Sequence, residues 1–214
     1  MQKRTGLVVG VIAFASGGDD EKAPKPTAYE TGAVSVEGTK LPRYTGQGAD
    51  PAIGETIPTL EGVSFDGSPI TVGPNGKAQA IVFLSHSCPH CQKEVPLVVQ
   101  LEKEGKLAGV DVTAVATNTN PAYGSYPGPG NYPPSAWLER EHWPYPVLAD
   151  SKKFTALVVY GLPAFPYFVF VDAEGKVVGR ATGEIAADTL VKIFKALAAG
   201  RSLPVAGGAS TTAN

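Results

Sequence analysis

Residues 78–96 read AQAIVFLSHSCPHCQKEVP. The first seven form a nearly continuous apolar run without alternation, the pattern of a strand buried on both faces. Beyond Pro89 the spacing changes to that of a helix, with Val95, Leu97, Val98 and Leu101 on one side. At the junction stand Cys88 and Cys91, the only two cysteines in the 214 residues. A second buried run follows at 109–117, GVDVTAVAT. Strand, helix, strand in that order predicts a βαβ unit, hence a parallel pair joined by a right-handed crossover.

Working outward, 60–72 is a hairpin signal, two short apolar runs around Asp66-Gly67. Residues 118–134 form a loop rich in Pro, Gly, Tyr and Asn, either a border to a substrate groove or a surface insertion bearing Tyr123, Tyr126 and Tyr132. A helix carrying Trp137 and Leu138 comes next and is expected to include His142, followed by the run at 145–148 and a helical stretch at 153–160. The segments 167–171 and 177–182 alternate as strands, joined by a glycine turn at 172–175. Residues 185–199 make a closing helix, with Asp188 near its start and Gly200 just past its end. The chain has no internal repeat. The class is α/β, a mixed sheet covered by helices on both faces.

Apolar residues make up 43% of the chain, enough to build a core without disulfide staples. A net charge of -2 gives no basic footprint for nucleic acid. Lys3 and Arg4 precede an apolar run at 7–15 that is too short to span a bilayer. Ala13-Phe14-Ala15 has the small-x-small form of a cleavage site. Residues 1–15 are therefore expected to be an export signal or a short membrane anchor, with a free cytoplasmic tail as the alternative. Residues 16–49 have little apolar content and are expected to be a flexible tether. The domain is expected at 50–200 and a disordered tail at 201–214.

The chemistry concentrates at the junction. The first turn of a helix has unpaired N–H groups and the positive end of the macrodipole, so it stabilises a thiolate at Cys88. Pro89 suits the first helical position, where its missing N–H leaves nothing unpaired. Cys91 lies three residues on, on the same face and within bridging reach. Cys88 is the expected nucleophile of depressed pKa, and Cys91 the more buried resolving thiol. No third cysteine exists, so exchange must be with another molecule. His90, between the thiols, is expected to stabilise the Cys88 thiolate, and thereby the reduced form. His86 reads as a bystander.

The run 82–96 resembles the active-site strand and helix of thioredoxin-like proteins, and is most similar to the envelope-tethered TlpA/ResA-like thiol-disulfide oxidoreductases. Glu94 and Pro96 match that branch's glutamate and proline after the second cysteine. The run 160–172, YGLPAFPYFVFVD, resembles its Tyr-Gly segment, spacer and cis-proline entering a strand. The hairpin at 60–72 fits its amino-terminal extension. The resemblance covers about 50–199. It implies a thioredoxin-like three-layer sandwich with a β-hairpin extension and thiol-disulfide exchange with protein cysteines. It also implies that Pro166 packs beside Cys88, leaving the Phe165 backbone to pair with a client peptide as an added strand. Glu94 is implied as a proton-relay or tuning group, against the plainer reading of a solvated acid paired with a lysine.

Two departures stand out. Ser87 occupies the place where the branch usually has tryptophan, and Val82 the place where thioredoxin carries a buried acid. The Pro-His dipeptide is that of the strong oxidant DsbA, whereas the branch consists mainly of reductants, so the direction of electron flow stays open. No cofactor is expected. The expected partners are protein thiols or disulfides and an envelope redox protein, with the chain itself a monomer and the membrane reached only through the amino-terminal segment. The rival reading is a chaperone for copper or another soft metal using Cys88, Cys91, His86 and His90. A thiol peroxidase lacks its Thr-x-x-Cys motif, and a binding module with inert cysteines is the remaining alternative.

Overall fold

A computed structural model of the chain describes residues 24–119 and 131–204. Its strands are β1 (Ser35–Glu37), β2 (Thr59–Val63), β3 (Pro69–Val72), β4 (Gln79–Leu84), β5 (Asp111–Ala116), β6 (Val147–Ala149), β7 (Tyr167–Val171) and β8 (Val177–Thr182). Its helices are α1 (Pro89–Lys103), α2 (Pro134–Arg140), α3 (Thr155–Val159) and α4 (Ala187–Ala198).

Every residue of β4 is buried, and this strand forms the middle of a five-stranded sheet of order β6-β5-β4-β7-β8. It runs parallel to β5 and antiparallel to β7, and β5 runs parallel to β6, so the sheet is mixed. Alternate β4 side chains go to opposite faces, as the two-residue period of a strand requires. Ala80, Val82 and Leu84 join the core made with α1, α2 and α4 through Val95, Val98, Trp137, Leu190 and Phe194. Ile81 and Phe83 join the opposite core with Leu60, Val72, Ala156 and Tyr160. Three layers result: α1, α2 and α4; the sheet; and α3 with a second sheet of order β1-β2-β3. Gln79 is the one polar residue of β4, and its amide donates to the Gly73 carbonyl at 3.1 Å.

The β2–β3 hairpin turns at Gly67, whose φ of +87° places it in the left-handed region that glycine tolerates. Within the expected tether, the described part from 24 to 49 is not loose. β1 pairs antiparallel with β2, Glu30 and Leu41 are buried, and Leu41 N–H donates to the Val159 carbonyl at 2.9 Å. Backbone hydrogen bonds and a few anchors hold this segment, which explains why its low apolar content concealed it. His142 lies just beyond α2 rather than in a helix, with a φ of 57°. The expected leader at 1–15 falls outside the described residues, as do most of the loop at 118–134, including Tyr123 and Tyr126, and the tail from 205 onward.

Candidate functional site

Strand β4 ends at Leu84, and residues 85–88 turn the chain into α1. Cys88 is the residue that caps α1, with φ −85° and ψ 116°, and Pro89 takes the first helical position. The Cys88 carbonyl accepts the Gln92 amide at 3.1 Å, the first hydrogen bond of the helix. Cys88 is half-buried and Cys91 fully buried, and both are free thiols.

The environment separates the two sulfurs. A hydrogen bond from the Cys91 thiol is the main cause lowering the Cys88 pKa, to about 6. Burial opposes it, while the Cys91 and His90 amides and, least, the His90 ring add to it. Burial pushes the Cys91 thiol up, reinforced by the neighbouring Cys88. The Ser85 amide donates to the Cys91 sulfur at 3.5 Å. One sulfur is thus held as a thiolate near neutral pH, with a protonated thiol behind it.

Glu94 is buried. One carboxyl oxygen accepts the Ile185 amide at 3.2 Å, and the other has no partner among the described residues. Burial drives its pKa up to about 7, partly offset by that hydrogen bond. Glu94 also raises the Cys91 pKa through its charge, so the two groups are electrostatically coupled. The reading of a solvated acid paired with a lysine is overturned by this burial.

The two histidines diverge. His90 Nδ1 pairs with Glu184 Oε1 at 2.7 Å, with both side chains largely exposed, and Lys93 reaches the same oxygen at 3.3 Å. The hydrogen bond from His90 is the main cause holding the Glu184 carboxyl below its ordinary pKa. The His90 ring is therefore bound to a carboxylate, and its charge is the weakest of the influences on Cys88, where the sequence had put it foremost. His86 is buried, its ring edge against Tyr132 at 5.6 Å between centroids. Neither ring nitrogen has a partner among the described residues, and burial lowers its pKa. The described residues contain no group of three or more His, Cys, Asp or Glu placed to hold a metal ion.

The register of β4 on β7 sets Phe83 opposite Tyr167. Pro166, immediately before Tyr167, thus enters the sheet at the end where β4 hands over to the cysteine turn. The Phe165–Pro166 bond is cis. Phe165 and Cys88 both pack at the edge of the same core cluster, and the Pro166 carbonyl accepts the Gly183 amide at 2.9 Å. A second cis bond, Tyr132–Pro133, lies near His86. Sequence reasoning missed Glu184, the Ile185 amide and the Ser85 amide. The first two lie in the β8–α4 turn, and only the folded topology brings that turn to the end of α1.

A family model described as Redoxin matches residues 38–196. The methylamine utilization protein MauD of Methylobacillus flagellatus is 30% identical over 128 residues, 58% of this chain and 55% of that protein. The chain thus spans about half the length of that curated relative. Among solved structures, a thiol:disulfide interchange protein from Chlorobium tepidum superposes with a TM-score of 0.54 at 24% identity, covering 70% of this chain and 99% of that one. A secreted Mycobacterium tuberculosis disulfide oxidoreductase homologous to E. coli DsbE gives 0.51 at 21% identity, covering 70% and 100%. A hypothetical protein from Sinorhizobium meliloti gives 0.60 at 17% identity, covering 80% and 93%. At these identities the structural likeness establishes the fold, which is thioredoxin-like.

Proposed function

The chain belongs to the redoxin family, and from that premise we propose that it is a thiol-disulfide oxidoreductase acting on protein cysteines through a mixed disulfide at Cys88. One observation carries the reading. Cys88 caps a helix with its pKa lowered to about 6, and the only other cysteine, protonated and buried, stands behind it. Reactive thiols occupy such half-exposed sites of depressed pKa, whereas structural cysteines are inert.

In the reducing direction, the Cys88 thiolate attacks a client disulfide. One bond forms between Cys88 and a client sulfur, and the other client sulfur leaves as a thiolate and takes a proton. Cys91 then gives its proton to the Glu94 carboxylate and attacks Cys88, closing the Cys88–Cys91 disulfide and releasing the second client thiolate. Two electrons have passed from the pair to the client. The oxidising direction is the same path reversed. Phe165, held by Pro166, presents its backbone for the client to pair with as an added strand, and Pro89 keeps the helix start open beside the nucleophile. The likeness to a secreted oxidoreductase and the leader-like residues 1–15 support an extracytoplasmic site of action. No helix among the described residues is long and apolar enough to cross a membrane.

The test is capture. Cys91→Ala, which cannot resolve the intermediate, should accumulate a Cys88 mixed disulfide with a client, visible on a non-reducing gel and lost with dithiothreitol. Cys88→Ala should form none and lose activity. A Cys91→Ala protein that traps nothing, beside a double mutant that keeps full activity, would sink the redox reading.

A further inference from the structure

Arg180 lies in β8, far in sequence from the cysteines, and exchange chemistry makes no use of it. Its side chain is fully buried, and its guanidinium holds three oxygen-bearing partners at once. Nε donates to Asp50 Oδ2 at 2.8 Å and Nη2 to the other Asp50 oxygen. Nη1 donates to the Pro42 carbonyl at 2.8 Å and to the Tyr167 hydroxyl at 3.0 Å. The Tyr44 ring covers the guanidinium, 5.1 Å from its centroid.

These partners form two groups. Pro42, Tyr44 and Asp50 belong to a strap, residues 41–50. Tyr167 is the residue directly after Pro166. Its hydroxyl donates in turn to the Tyr160 carbonyl at 3.0 Å, so one hydroxyl ties together the two ends of the 160–166 loop. The strap grips the start of that loop as well. Leu41 N–H donates to the Val159 carbonyl and Tyr44 N–H to the Gly161 carbonyl, each at 2.9 Å. The fit is close: Gly161 has a φ of +67°, and a Cβ there would stand 2.5 Å from the Pro42 oxygen.

Stability alone does not account for this device. A buried ion pair is often matched or surpassed by apolar side chains of similar volume. A planar guanidinium whose bonds are divided between the strap and Tyr167 instead fixes the geometry of one against the other. The segment it fixes presents Phe165–Pro166 at the cysteine end of the sheet.

We propose that Arg180, acting through Tyr167, is a positioning residue that lets the 41–50 strap set the 160–166 loop for docking of an extended, cysteine-bearing client peptide. This rests on the exchange reading above. Cys88 itself is untouched by the clamp, so the effect falls on peptide docking and not on thiol reactivity.

The experiment uses the full chain and two disulfides that release the same chromophore. One is 5,5′-dithiobis(2-nitrobenzoate), which reads exchange at Cys88 and its resolution by Cys91 with no peptide to dock. The other is a ten-residue peptide with one central cysteine blocked as its 2-nitro-5-thiobenzoate disulfide. In single-turnover release, Tyr167→Phe should raise the half-saturating peptide concentration about tenfold, within the loss that misplacement by an ångström produces. Its rate with the small disulfide, and the pH midpoint of that rate, should stay at the wild-type value. Arg180→Lys, which lacks the planar fork that holds Asp50 through Nε and Nη2 while Nη1 reaches Pro42 and Tyr167, should show the same split and replaces Tyr167→Phe if that variant fails to fold. Unchanged peptide saturation in the folded variants would overturn the proposal, as would an equal loss with both disulfides. A wild-type protein inert toward the small disulfide would instead refute the exchange reading.

Discussion

Glu94 makes its burial measurable as a pH dependence. Its carboxyl has a folded-state pKa of about 7, against about 4.3 in an unfolded chain. Between those values the native state holds a proton that the unfolded state has released. The fold therefore loses stability as pH rises from about 4.3 to about 7, and the loss is constant above that. Glu94→Gln keeps an acceptor for the Ile185 amide and carries no charge to bury. Urea unfolding at pH 8 should find this variant more stable by as much as about 4 kcal/mol, from 1.36 kcal/mol per pKa unit over about 2.7 units, with the advantage vanishing near pH 4. Resolution of the mixed disulfide should slow in the same variant, because Cys91 loses its proton acceptor. An equal stability gain at pH 4 and pH 8 would contradict the assignment. The sequence supplied the position of Glu94 but not its state, since a glutamate on a helix is equally compatible with solvent until the Ile185 turn is seen closing over it. His90 does lower the Cys88 pKa, as its position implied, but through its amide and charge as lesser causes. Its place between the cysteines was legible, whereas its capture by Glu184, 94 residues away, was not.

Long periodic elements were legible and short irregular ones were not. β4 announced itself by six buried residues in a row, and α1 by its proline start and apolar side, because both signals are local. The strap and the segment before it gave no such pattern, as their anchoring is by single contacts to distant residues. Glu30 is one of these anchors. Its carboxylate accepts the Ser135 amide at 3.1 Å and the Thr27 amide at 2.9 Å, and takes the Ser135 hydroxyl as well. Since α2 has no side-chain cap of its own, Glu30 caps it from 105 residues away and pins the amino-terminal segment to it. Glu30→Ala should lower stability by about 1–2 kcal/mol, the usual loss for a helix cap, read from the midpoint of urea unfolding. Amide exchange should quicken at Ser135 and Trp137 while the β4 amides stay protected. Uniform loss of protection across both would show that Glu30 supports the whole core rather than one helix end.

At the scale of the molecule, the end of the five-stranded sheet gathers the cysteine turn, the Phe165–Pro166 entry and the 183–185 turn, and their combined field sets the redox poise. The resemblance left the direction of electron flow undecided, because the Pro-His dipeptide and the rest of the chain point different ways. The folded environment bears on that conflict. The hydrogen bond from Cys91 is the largest influence on Cys88, and the His90 charge is the smallest and is shared with Glu184. A Cys88 pKa of about 6 lies about one unit below that of thioredoxin and well above the value near 3.5 in DsbA. One unit is about 1.4 kcal/mol of thiolate stabilisation, which for a two-electron couple is about 30 mV. From thioredoxin's value near −270 mV, the Cys88–Cys91 pair should stand near −240 mV at pH 7. Equilibration in glutathione buffers of graded ratio, with the free thiols counted after acid quenching, measures it. A result near −120 mV would return control to the dipeptide and make the protein an oxidant of the DsbA kind. At −240 mV the pair can pass electrons to strained or exposed disulfides but not to structural ones below about −300 mV, so its clients would be labile disulfides in extended segments that fit the Phe165 edge.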